Sequence, residues 1–149
     1  MRAVIQRVSQ ASVKINNTIH GKISHGMLVL LGIRGGDSST DLQWMAEKIV
    51  NLRIFEDQQG KMNRSLADID GEMLIISQFT LYGDCRKGRR PGFSSAAPPD
   101  IAEPLYLQFI EEVKNRQVRV ATGIFQATME VELVNDGPVT LLVDSEKQF

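Results

Sequence analysis

Cysteine is nearly missing from this chain: Cys85 is the only one in 149 residues. That excludes an intrachain disulfide framework and suits a reducing compartment. Histidine is almost as scarce. His20 and His25 lie among Thr18, Lys22 and Ser24, and both read as surface polar residues. No Cys, His, Asp or Glu cluster has metal-ligand spacing, so neither a metal nor a cofactor is expected. Long hydrophobic runs are absent as well. The strongest, Met27 to Ile33, falls far short of the roughly 20 residues that span a bilayer. The apolar stretch after Met1 is too short for a signal-peptide core. A cytoplasmic location with no membrane partner is the expectation. Charge of one sign is lacking too: the formal net value is -1, which creates no global field for a polyanion. Any chemistry must come from positioned backbone, hydroxyls or the substrate itself.

The length of 149 residues predicts one domain, 1–149, large enough to bury a proper core. The N-terminal third is strand-rich. Residues 2–8 read as a strand, and Val13 and Ile15 alternate with Ser12, Lys14 and Asn16 as a half-buried one. Asn16-Asn17 is a hairpin turn leading to a strand around Ile19 to Ile23. Met27 to Ile33 is continuously apolar, as in a strand covered on both faces. The period then changes. Leu42, Met45, Ala46, Ile49 and Val50 recur at helical spacing within Ser38 to Leu52. Short strands are expected at Leu52 to Phe55 and at Glu72 to Gln78. Gly83 to Asp100 reads as a long ordered loop, a length that is usually functional. A second helix follows from Pro99 to Asn115, with Ile101, Leu105, Phe109, Ile110 and Val113 as its apolar face. Two alternating strands close the chain, around Met129 to Val134 and Val139 to Asp144. The fold class is α+β (mixed α/β), with layered β-sheets and two main helices.

Two segments stand out, each beside a strand-like run: Ser77-Gln78-Phe79-Thr80 and Asn135-Asp136-Gly137-Pro138-Val139-Thr140. Ser77 and Thr80 carry hydroxyls, but a hydroxyl nucleophile needs a neighbouring base, and the sequence places none there. The alternative is that backbone N–H groups at Phe79 and Thr80 hold a developing oxyanion while water or substrate attacks. Gly137-Pro138 exposes carbonyls with little side-chain cover, which suits steric sensing of a bound carbon centre. Arg7 can pair with a carboxylate and brace a loop. Phe125, Ala127 and Met129 step by two, as on one strand face, either as core or as a pocket wall. Phe79 and Phe93 read as buried anchors. Arg86, Lys87, Arg89 and Arg90 place four cations in five residues, either a solvated loop or a phosphate contact.

Together these residues resemble the D-aminoacyl-tRNA deacylase family, also called D-tyrosyl-tRNA deacylase. The likeness runs from Ile5-Gln6-Arg7-Val8 and Ala11-Ser12-Val13 through Gly26 to Gly32 and Gly60-Lys61-Met62-Asn63. It continues with Ser77-Gln78-Phe79-Thr80-Leu81, Arg90-Pro91-Gly92-Phe93-Ser94 and Asn135 to Thr140. Gly92 departs from the family's commoner pattern. The resemblance implies a metal-independent homodimer of the family's α+β fold. Its substrate would be D-aminoacyl-tRNA or glycyl-tRNA, cleaved at the ester to the 3′-terminal adenosine. It implies that Phe79 and Thr80 supply catalytic backbone amides, assisted by the substrate's 2′-OH. Ser77, Gln78, Met129, Gly137 and Pro138 would contact substrate, with Arg7 and Phe125 in support and Arg86, Lys87, Arg89 and Arg90 on tRNA. Gly137-Pro138 would be a cis step reaching the partner's pocket for chiral proofreading. Two alternatives stand: an aminoacyl esterase with Thr80 as nucleophile, and a non-enzymatic RNA-binding protein.

Overall fold

The longest element starts almost at the N-terminus. In the computed structural model, which describes residues 1–149, strand β1 runs from Arg2 to Ile15 without interruption. The two strands expected at 2–8 and around 12–16 are therefore one. The apolar alternation breaks because Ser9 is an extra residue between the pairs Val8–Asn135 and Gln10–Val134. One inserted residue sends the following side chains to the other sheet face. Ala3 and Ile5 face one core cluster, whereas Ala11 and Val13 face the other.

Asn16 and Asn17 turn the chain with φ of 50° and 61°, the left-handed pair of a tight hairpin. β2 (Thr18–Ile23) and β3 (Gly26–Gly32) both pair antiparallel with β1. Helix α1 spans Ser39–Val50. Ser38 caps it: its Oγ accepts from the Asp41 N–H, and its own N–H donates to Asp41 Oδ2 at 2.9 Å, a reciprocal cap. The stripe from Leu42 to Val50 is buried as expected. Each large side chain in it contributes about 1.5–3 kcal/mol before entropy is counted.

The strand expected at Leu52 to Phe55 forms only at its end, as β4 (Phe55–Glu56). It pairs with β5 (Met62–Arg64), an exposed segment with no apolar period to betray it. β6 (Glu72–Ser77) runs parallel to β3, and β7 (Arg119–Thr122) runs parallel to β6. Helix α2 (Pro99–Lys114) makes the second crossover. Its buried face is Ala102, Tyr106, Phe109, Ile110 and Val113, while Ile101 is exposed. Leu105 is half-buried against the core, and Tyr106 joins the face, its hydroxyl donating to Ile75 O at 2.8 Å while its ring stays buried. That burial pushes its phenol well above the ordinary tyrosine range.

β8 (Glu130–Asp144) is a single strand along β1 where two strands are expected. Six strands thus form one sheet in the order β2-β1-β3-β6-β7, with β8 on the second edge of β1. The helices cover one face. The far halves of β1 and β8, together with β2, curl over the other face around Val8, Leu28, Leu74 and Ile76. The sheet is close to a barrel. No helix is long and apolar enough to cross a membrane.

Candidate active site

A cleft of about 720 Å³ opens beyond the carboxyl ends of the parallel strands β3 and β6, where ligands bind in sheets of this kind. Leu31, Ile33 and Ile76 form its floor, Ala97, Pro98, Pro99 and Ala102 one side, and Phe125, Gln126, Ala127, Met129 and Val131 another. β6 ends at Ser77, and the chain folds directly into a 3-10 turn, Phe79–Tyr82. Gln78 N–H still donates to Leu31 O at 2.8 Å, so the turn is pinned to β3. Phe79 and Thr80 open that turn, and the first N–H groups of a helical turn have no carbonyl within it to bond.

None of the 17 residues lining the cleft is Asp, Glu, His, Cys, Tyr, Lys or Arg. The cleft therefore offers no side-chain proton acceptor of ordinary strength. Thr80 is not part of the wall, and its hydroxyl accepts from Gln78 Nε2. Ser77, Gln78, Phe79, Phe125 and Met129 all line the cleft. Phe125 and Ala127 do so from a loop, Gly123 to Met129, and not from the expected strand face. Phe79 and Phe93 are exposed at the wall and not buried anchors.

Gly137 and Pro138 lie apart from this cleft, on an exposed bulge of β8. Asn135 pairs with Val8 and Thr140 with Gln6, so Asp136, Gly137, Pro138 and Val139 stand opposite Arg7 alone. The Gly137–Pro138 bond is cis. Gly137 has φ of 128°, and a Cβ there would lie 2.9 Å from Arg7 Nη2. Only glycine fits. Arg7 is buried behind the bulge. Its Nε donates to Asp136 O at 3.0 Å and its Nη1 to Ile54 O at 2.6 Å. The carboxylates are more distant partners: Asp136 Oδ2 at 3.5 Å and Glu56 Oε1 at 4.0 Å. Arg7 braces backbone more than charge. His25 is exposed, as expected of a surface polar residue, and stands 3.9 Å from Asp136 Oδ2 and edge-on to Phe55.

Asn135 carries no signal of its own in the sequence beyond its place in the Asn135 to Thr140 segment. Its Oδ1 accepts from Val139 N–H at 2.9 Å and its Nδ2 donates to Thr140 Oγ1 at 3.0 Å. This side chain ties the two ends of the bulge together, as Asn does in local turns. Asn135→Ala is expected to speed hydrogen exchange at the Val139 amide at least tenfold, whereas Asn135→Asp keeps the acceptor and most of the protection. Equal protection in wild type and the Ala variant would show that the tie is idle.

The basic segment forms a small hairpin. Asp84 and Gly92 exchange backbone hydrogen bonds of 2.7 and 3.0 Å at its base. Arg86 is spent within it: its guanidinium donates to Asp84 at 2.9 and 2.7 Å and holds that carboxyl far below the usual range. Lys87, Arg89 and Arg90 are exposed and make no ion pair.

The model of the family described as D-Tyr-tRNA(Tyr) deacylase matches residues 4–144. The chain is 62% identical, over all 149 residues of both chains, to the D-aminoacyl-tRNA deacylase of Desulfotalea psychrophila (strain LSv54 / DSM 12343). It is 61% identical to that of Thermosipho africanus (strain TCF52B), again over the full length of both. Among solved structures, the c-Myc DNA unwinding element binding protein superposes with a TM-score of 0.91 at 41% identity, covering 97% of this chain and 98% of that one. A probable eukaryotic D-amino acid tRNA deacylase shares the fold, with a TM-score of 0.80 at 20% identity over 95% and 97% of the two chains.

Proposed function

The chain belongs to the D-Tyr-tRNA(Tyr) deacylase family, and from that premise we propose how it works as a D-aminoacyl-tRNA deacylase. The activity is hydrolysis of the ester that joins a D-amino acid to tRNA. The ester carbonyl sits at the Phe79–Thr80 turn, and the aminoacyl group extends into the apolar cleft toward Met129. Water attacks the carbonyl carbon, and the 2′-OH of the terminal adenosine positions or activates it. The oxyanion is held by the Phe79 and Thr80 N–H groups, and the 3′-oxygen leaves with a proton. The observation that carries this reading is a cleft wall without a titratable side chain, next to the backbone N–H groups that open the Phe79–Tyr82 turn. Such donors typically contribute about 2.7–4 kcal/mol each to the transition state. Glycyl-tRNA is the second substrate, because glycine presents hydrogen on both sides of its α-carbon.

Chiral choice is assigned to the Gly137–cis-Pro138 step of a second copy of the chain. In its own protomer that step is solvent-facing and outside the cleft, so it meets a bound substrate only across a two-fold interface. Leu142, 59% exposed, and half-buried Val4 on the adjoining β-strands give such an interface apolar surface. The deciding experiment is deacylation of matched D- and L-aminoacyl-tRNA.

Lys87, Arg89 and Arg90 are assigned to acceptor-end phosphates, with Arg86 as the hairpin's internal brace. Neutralising the three is expected to weaken tRNA binding and to reduce the slope of log K against log salt by roughly two to three. Chiral choice should be unaffected. An unchanged slope would remove the hairpin from the tRNA path, and with it the support for a purely RNA-binding role.

A further inference from the structure

Two aromatic side chains at the cleft remain wet. Phe79 is 57% and Phe93 38% exposed. Their rings meet edge to face, with centroids 5.1 Å apart and planes at 69°. The pair is held in place from below. A Cβ at Gly83 would lie 3.1 Å from Phe93 Cε1, so the ring rests on bare backbone. Phe93 also directly follows Gly92, half of the rung that closes the basic hairpin. Three features therefore follow one another: the apolar cleft, the aromatic pair, and the free cations Lys87, Arg89 and Arg90. Single-stranded nucleic acid is bound by this combination, with bases on exposed rings and phosphates on cations.

We propose that Phe93, supported edge-on by Phe79, is a stacking platform for the unpaired base next to the terminal adenosine. The inference rests on the proposed placement of the aminoacyl ester at Phe79–Thr80. With the last nucleotide fixed there, a strand leaving toward the cations crosses Phe93 with its next base. Stacking of one base on one ring amounts to about fivefold to 150-fold in affinity.

The test uses two D-aminoacyl esters: one on an acceptor-stem minihelix, the other on adenosine alone, which has no neighbouring base. Phe93→Leu is expected to raise KM for the minihelix at least tenfold more than for the adenosine ester, and Phe93→Tyr to restore it. A non-hydrolysable 3′-amide minihelix with 2-aminopurine at the penultimate position gives a reading that needs no turnover. Its fluorescence should be quenched on binding wild type and Phe93→Tyr, and not on binding Phe93→Leu. Equal KM changes for both esters, or quenching that survives Phe93→Leu, would overturn the platform. A wild-type protein that cleaves neither ester would defeat the proposed function, while the quenching experiment would still decide this inference.

Discussion

D-aminoacyl-tRNA should be cleaved at least a thousandfold faster than its L counterpart by the wild-type protein. That ratio corresponds to about 4 kcal/mol of differential transition-state stabilisation. The cleft cannot supply it through apolar contact, since one methylene more or less changes binding by only about 1–3 kcal/mol. The two enantiomers exchange a hydrogen and a side chain at one carbon, so a rigid obstacle on one side separates them far better. The Gly137–Pro138 bulge has the required stiffness. Arg7 holds it from behind through Asp136 O, and Asn135 ties its ends. Arg7→Met keeps the length of the side chain but removes the donors to Asp136 O and Ile54 O. A buried carbonyl left unpaired, as Ile54 O would be, costs about 1–3 kcal/mol of stability. The D/L ratio should also narrow at least tenfold. Thermal melts separate the two effects, since a folded variant with the wild-type ratio would acquit Arg7. Equal wild-type rates on both enantiomers would reject chiral selection altogether. A protein that sediments as a monomer at assay concentration and still discriminates would reject the cross-subunit placement.

The parts of this site that were legible in the sequence are those with local signals. Ser77 to Thr80 follows a run of apolar residues, and Met27 to Ile33 has nothing polar to confuse a buried strand. The Asn16-Asn17 turn is carried by a residue type with a specific backbone preference, whereas which of Ser38, Ser39, Thr40 and Asp41 caps α1 is decided only by the fold. What escaped was decided by long-range pairing. The bulge opposite Arg7 exists only because β1 and β8 lie side by side. From the sequence alone, Asn135 to Thr140 reads as a link between two strands. β5 is exposed throughout and has no period to find. Phe79 and Phe93 look like core residues by composition, and only the fold shows them at the cleft wall. Arg86 reads as one cation among four until its fork is seen to close on Asp84, two residues away.

Removing the substrate's 2′-OH should damage the reaction more than removing the hydroxyl of Thr80. A D-aminoacyl-tRNA ending in 2′-deoxyadenosine, esterified at the 3′ position, is expected to lose at least a hundredfold in kcat, about 2.7 kcal/mol. Thr80→Ala should stay within about tenfold of wild type. Thr80 Oγ1 accepts from Gln78 Nε2 and lies outside the cleft wall. No Asp, Glu, His or Lys lines the cleft to take its proton, and an unassisted hydroxyl is a weak nucleophile at neutral pH. The backbone donors of the turn survive Thr80→Ala, because the substitution leaves the N–H groups in place. Thr80→Pro would remove one of them, and its kcat should fall about 10²–10³-fold, the usual cost of one oxyanion donor. The order of the three effects matters more than any one value. An acyl group trapped on Thr80, or a deoxy substrate cleaved at the full rate, would hand the reaction to the side chain and restore the esterase alternative.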